Sequence, residues 1–151
     1  MNTDRPGREI PAPVRVYLWF RQEGSIAVDS LDALNPITER IIGCAYAVSN
    51  TLGSGFLEKV YENALAHELR KNGLLVEQQK EIRVIYDGVS VGDFFADLCV
   101  EQSVLVELKV AKALEDIHIA QCINYLKATG MRLCLLINFG TPRIGIKRIA
   151  N

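Results

Sequence analysis

The sequence predicts one α/β domain, an α+β mixed sheet with the element order αα-βββ-α-β(β), over residues 34–151. Three observations carry this. Apolar residues recur at three- and four-residue steps in three stretches, each ended by a glycine. Between the second and third lie extended runs broken at Asp87-Gly88 and Glu101-Gln102-Ser103, which reads as a three-stranded antiparallel meander. After the third helix, RLCLLINF of residues 132–139 is apolar on both faces, as a central strand covered by helices must be.

The first helix opens at Asn35-Pro36, Asn as N-cap and Pro where a missing N–H costs nothing. Ile37, Ile41, Ala45, Val48 and Leu52 line it until Gly53. After a Gly53-Ser54-Gly55 turn, a second helix over about 56–72 has an apolar face of Leu57, Val60, Tyr61, Ala64, Leu65 and Leu69. Strands follow at 76–86, 89–100 and 104–110, then a helix over about 114–129, the strand at 132–139 and a short strand at 144–149. Residues 1–33, with Pro6, Gly7, Pro11, Pro13 and Gly24, read as a poorly ordered arm, or an accessory strand at Val14–Phe20.

Composition narrows the function. The 151 residues are 49% hydrophobic and 23% charged, enough for one core without staples. No apolar run reaches the roughly 18–20 residues of a membrane span, so no membrane partner is expected. A net charge of -1, with 13 basic and 13 acidic residues beyond the arm, excludes a polybasic binder, so any nucleic-acid site must be focal. Cys44, Cys99, Cys122 and Cys134 form no C-x-x-C pair, which argues against zinc or redox motifs and for buried, reduced thiols in a cytoplasmic protein. The N-terminus lacks signal-peptide architecture, in agreement with that compartment.

The chemistry concentrates in two strands. Period-two alternation puts Leu105, Glu107 and Lys109 on one face of the third strand and Val104, Val106, Leu108 and Val110 on the other. Asp97 interrupts the apolar second strand, and the short turn between them brings Asp97 and Glu107 within reach across the ladder. Alone, Glu-x-Lys reads as a surface salt bridge. In apolar strands an unpaired charge costs several kcal/mol, and two close carboxylates repel unless a proton or cation lies between them. Oxygen ligands favour a hard ion such as Mg²⁺ or Mn²⁺. Glu58, spaced by three, seven and eleven from Tyr61, Leu65 and Leu69, is expected on the inward face of the second helix as a third acid. His118, Gln121 and Tyr125 form a polar stripe on the third helix, which by itself reads as a hydrogen-bonded core seam.

These residues resemble the GxxExxY proteins. Gly55-Phe56-Leu57-Glu58-Lys59-Val60-Tyr61 carries the signature, followed by Asp97-Leu98, VELKV at 106–110, IHIAQ and Tyr125 within 117–125, Thr129-Gly130, Asn138-Phe139 and Ile146-Lys147-Arg148. The family looks like a compact branch of the PD-(D/E)XK, restriction-endonuclease-like nucleases, whose element order is the one read above. The resemblance implies metal ligation by Asp97, Glu107 and the Leu108 carbonyl, with Glu58 completing the shell and Mg²⁺ or Mn²⁺ as cofactor. It assigns Lys109 to orienting the water and stabilising the transition state, and Gln121 and Tyr125 to the Q-x-x-x-Y element that supports the site and contacts nucleic acid. His118 receives no role. Ala96 replaces the superfamily's Pro before the Asp.

The implied activity is phosphodiester hydrolysis, on DNA ahead of RNA, by a protein that could dimerise to widen its binding surface. Lys59, Lys112, Lys127, Arg132, Arg143, Lys147 and Arg148 are candidate phosphate contacts. Two other readings stand beside it: an inactive or slow nuclease fold that binds nucleic acid or a protein, and a structural protein whose acids form internal ion pairs.

Overall fold

The computed structural model describes residues 31–151. The expected arm, with its Val14–Phe20 strand, falls almost wholly outside them. A 3₁₀ turn, Leu31–Leu34, leads into α1 (Asn35–Leu52) and α2 (Glu58–Lys71). Then come β1 (Val76–Tyr86), β2 (Val89–Val100), β3 (Val104–Lys109), α3 (Asp116–Thr129), β4 (Leu133–Asn138) and β5 (Gly145–Ala150). The five strands form one sheet in sequential order, antiparallel except for β3 and β4, which run parallel because α3 carries the chain back across the sheet.

Alternation in β3 divides the core. Val104, Val106 and Leu108 pack with Ile41, Ala45, Tyr61, Leu65 and Leu69 of α1 and α2. Leu105 packs with Cys122, Tyr125 and Leu126 of α3 on the opposite face. β4 is buried at every position, as an apolar run covered on both sides requires. All four cysteines are buried and free. No helix among the described residues is long and apolar enough to cross a membrane.

Two local expectations are corrected. Asn35 is not the cap of α1: Leu34 takes that position, and the Asn35 side chain instead accepts a 2.7 Å bond from Arg148. Arg148 also donates to Thr38 Oγ1 at 3.1 Å, tying β5 to the start of α1. The buried stripe of α2 is Tyr61, Glu62, Leu65, Ala66 and Leu69, and Leu57 precedes the helix as its N-cap. Leu57 is 81% exposed and Val60 39% exposed, so neither belongs to the apolar face.

Tyr61 fixes the turn between α1 and α2. Its hydroxyl donates to the Gly53 carbonyl at 2.6 Å and accepts from the Phe56 N–H at 3.2 Å, while its ring stacks on Phe139 at 4.8 Å. Tyr61→Phe keeps the stack and strands both backbone groups, so urea denaturation should show a loss of about 1–3 kcal/mol.

Candidate active site

Asp97 sits where two ladders lapse. β1 and β2 pair Gln78 with Leu98 and Lys80 with Ala96, leaving Gln79 and Asp97 unpaired between them. The β2–β3 ladder stops at Leu98 and Val106. Side chains take over the backbone groups this exposes. The Asp97 N–H donates to Glu107 Oε1 at 3.2 Å, and the Leu108 N–H donates to Asp97 Oδ2 at 2.8 Å. Each acid is thereby held by the other strand and commits one oxygen to it. The second oxygens are less engaged: Asp97 Oδ1 has a long 3.4 Å contact from Gln79 Nε2, and Glu107 Oε2 lies 3.9 Å from Lys109 Nζ.

The lapse also reverses the faces of the hairpin. Val76 and Leu98 belong to the α1–α2 side of the core. Ile82 and Ala96, an even number of residues away on the same strands, pack on the α3 side. Gln79, at φ +53°, supplies the left-handed step in β1.

Burial raises the pKa of Glu107 most, then the charge of Asp97, to about 8, against the opposing pull of the Asp97 N–H and Lys109. Burial likewise raises Asp97, with Glu62 adding to the effect and the Leu108 N–H, Gln79 and Lys109 opposing it. Partial burial and the charge of Asp97 raise Glu58. Lys109 pulls all three acids downward. Negative charge has been gathered faster than one ammonium can offset it. Hard oxygens, surplus charge and one weakly engaged oxygen per acid suit a hard divalent cation. Among the described residues, no three His, Cys, Asp or Glu side chains are gathered closely enough to form a ligand set by themselves. Asp97, Glu107 and a main-chain carbonyl such as that of Leu108 could hold an ion. Glu58 opens the first turn of α2, one turn before the buried Glu62 on the same helical face, and is exposed there at the edge of the site. The charges of Asp97, Lys109 and Glu62 act on it.

The chain beyond Lys109 is clamped. The Phe139 N–H donates to the Lys109 carbonyl at 2.9 Å, and the Asn138 side chain bonds both polar groups of the Ala111 backbone, at 3.0 and 2.9 Å. A Cβ on Gly140 would collide with Ala111 N, so glycine is required for this approach. On α3, Gln121 Nε2 donates to the Tyr125 hydroxyl at 3.0 Å. Burial, and after it the charge of Glu107, pushes Tyr125 up to about 12, so the Gln121–Tyr125 pair lies within the field of the acids. His118 is drawn off elsewhere: its Nδ1 accepts from the Glu115 N–H at 3.0 Å, one half of a capping box at the start of α3.

The residue that sequence reasoning missed is Glu62. It is 3% exposed and accepts from Lys59 Nζ at 3.0 Å, Gln78 Nε2 at 2.8 Å and Gln79 Nε2 at 2.7 Å. A signal existed, since Glu62, Leu65, Ala66 and Leu69 follow the i, i+3, i+4, i+7 rule. Three candidate phosphate contacts have other partners: Lys59 pairs with Glu62, Arg148 ties β5 to α1, and Arg132 donates to the Asn151 carbonyl.

A mixed five-stranded sheet, helices on both faces and an acid pair with an adjacent lysine where strands part define the class: an α+β domain of nuclease type. The chain belongs to the PD-(D/E)XK nuclease superfamily, whose family model matches residues 35–149. Among solved structures it is similar to SSO0001, at 19% identity over 90% of this chain and 75% of the other, with a TM-score of 0.48. It is also similar to an alkaline exonuclease, LHK-Exo, from Laribacter hongkongensis, at 13% identity over 91% of this chain and 81% of the other, with a TM-score of 0.47. No curated protein matches it significantly.

Proposed function

We propose that the protein is a divalent-metal-dependent nuclease of the GxxExxY type, hydrolysing phosphodiester bonds of nucleic acid, DNA ahead of RNA, with Mg²⁺ or Mn²⁺. The observation that carries this reading is the reciprocal hold of Asp97 and Glu107, which fixes a half-buried and a buried acid across two strands and leaves one oxygen of each only weakly engaged. When bound, the ion lowers the pKa of a water near it and offsets charge on the phosphoryl oxygens. Asp97, Glu107 and the Leu108 carbonyl would hold it, with Glu58 completing the shell directly or through a water. Lys109, its backbone clamped by Phe139, orients the attacking water and meets the charge that develops on phosphorus-bound oxygen. Gln121 fixes the Tyr125 hydroxyl within the field of Glu107, where it supports the site and contacts nucleic acid. Four free, buried thiols support residence in the cytoplasm.

The test is a panel of labelled single-stranded, double-stranded and branched DNA and of RNA, with Mg²⁺ or Mn²⁺ and a chelator control. Cleavage of at least one DNA substrate, abolished by the chelator, is the expected result. Affinity should fall with salt, with a log–log slope of about one for each phosphate contacted. Salt-sensitive binding with no cleavage of any substrate would leave a nucleic-acid-binding module in place of an enzyme.

A further inference from the structure

Gln79 is a left-handed, non-glycine residue set opposite Asp97 at the lapse of the ladder, an arrangement held in place by its neighbours rather than by local preference. Its side-chain nitrogen lies 2.7 Å from Glu62 Oε1 and 3.4 Å from Asp97 Oδ1. An amide NH₂ carries two protons, so one nitrogen can serve both acids. Glu62 is buried, and its second oxygen is fixed by Gln78 and Lys59. Its Oε1 accepts from Gln79 Nε2, which turns the nitrogen of Gln79, not its carbonyl oxygen, toward Asp97. With Leu108 N–H on Oδ2 at 2.8 Å and the longer Gln79 contact on Oδ1, rotation of the Asp97 carboxylate about its terminal torsion is restrained from both ends. A lysine in the place of Gln79 would neutralise the charge that Asp97 must offer. The amide bridges the two acids and leaves that charge intact.

We propose that the Glu62–Gln79 pair is a positioning device for Asp97, a relay from the buried face of α2 through a strained residue of β1 to the carboxylate that holds the ion. It rests on the nuclease reading above. The pair touches no reacting atom, so its loss should lower turnover and ion affinity and leave substrate affinity unchanged.

The variants are Gln79→Gly, which adopts positive φ without strain and suits an exposed position, and Glu62→Gln. Calorimetry with Mn²⁺ and steady-state cleavage of labelled DNA are the readouts. Each variant should bind Mn²⁺ about 10-fold more weakly and lose about 10- to 100-fold in kcat, as removal of a group supporting a metal ligand does, with KM within about twofold. The double variant should be no worse than the poorer single one, because both act through one contact. Wild-type Mn²⁺ affinity and kcat in Gln79→Gly, or fully multiplicative losses in the double variant, would overturn the relay while the nuclease reading stands. Wild-type protein that neither binds Mn²⁺ nor cleaves would overturn both.

Discussion

Lys109→Ala is expected to lower DNA cleavage by about 10³-fold in single-turnover assays, the scale of losing one preorganised charge-stabilising donor. The ammonium has two tasks. It lies 3.9 Å from Glu107 Oε2 with its side chain 20% exposed, near enough to the acids to act on them and open enough to meet substrate. It also pulls Glu58, Asp97 and Glu107 toward their ionised forms. Removing it lets all three acids hold protons to higher pH. At subsaturating Mg²⁺ the activity of the variant should therefore rise more steeply with pH above neutrality than that of wild type, since the ion must displace protons that Lys109 no longer helps to expel. Asp97→Ala should lose at least as much activity, with no rescue at high pH, because it removes a ligand and not a charge compensator. Equal rates for wild type and Lys109→Ala across the range would remove Lys109 from the chemistry. A uniform loss without a changed pH profile would confine it to the transition state.

What could be read from sequence, and what could not, follows from the range of the forces involved. Period-two alternation in β3 put Glu107 and Lys109 on one face and the valines on the other, and the structure keeps that division, because a strand covered on both sides leaves the register no freedom. The Asp87-Gly88 turn and the glycine after α3 marked the element order for equally local reasons. Tertiary contacts decided the rest. Asn35 looks like a cap until an arginine 113 residues away takes its side chain. Glu58 looks inward by its spacing to Tyr61, Leu65 and Leu69. It does share that face, but it opens the helix at the edge of the site and stays exposed, while Glu62, one turn on, is the acid the fold buries. The left-handed Gln79 has no sequence signal at all, since glutamine is not a residue one expects at φ +53°. It is legible only once Asp97 and Glu62 stand on either side of it.

Glu107→Gln is expected to make the ion-free protein more stable at alkaline pH while removing its response to ions. Glu107 is 4% exposed, and its pKa is raised to about 8. An acid whose folded pKa exceeds its unfolded value of about 4.5 binds more protons in the folded state between those two limits. Stability is therefore greatest below about pH 4.5 as far as this group is concerned, and declines as pH rises toward 8. Above that pH the folded protein carries a buried, ionised Glu107 beside Asp97. The amide introduced by Glu107→Gln would keep an oxygen for the Asp97 N–H and carry no charge, so the variant escapes the decline. Each pKa unit is worth about 1.4 kcal/mol, so the gain near pH 9 should reach a few kcal/mol, on the order of 10 °C in Tm for a domain of this size. Near pH 5 the two proteins should melt together. Excess Mg²⁺ or Mn²⁺ at pH 8 to 9 should raise the Tm of wild type by mass action and leave Glu107→Gln unmoved. The acid that weakens the empty fold is then the one that holds the ion, and the repulsion that raises its pKa is what a divalent cation relieves. Equal thermal shifts with Mn²⁺ in both proteins would take Glu107 out of the ligand set. A variant less stable than wild type at every pH would mean that the charge of Glu107, held by Lys109 and the Asp97 N–H, supports the empty fold instead of straining it.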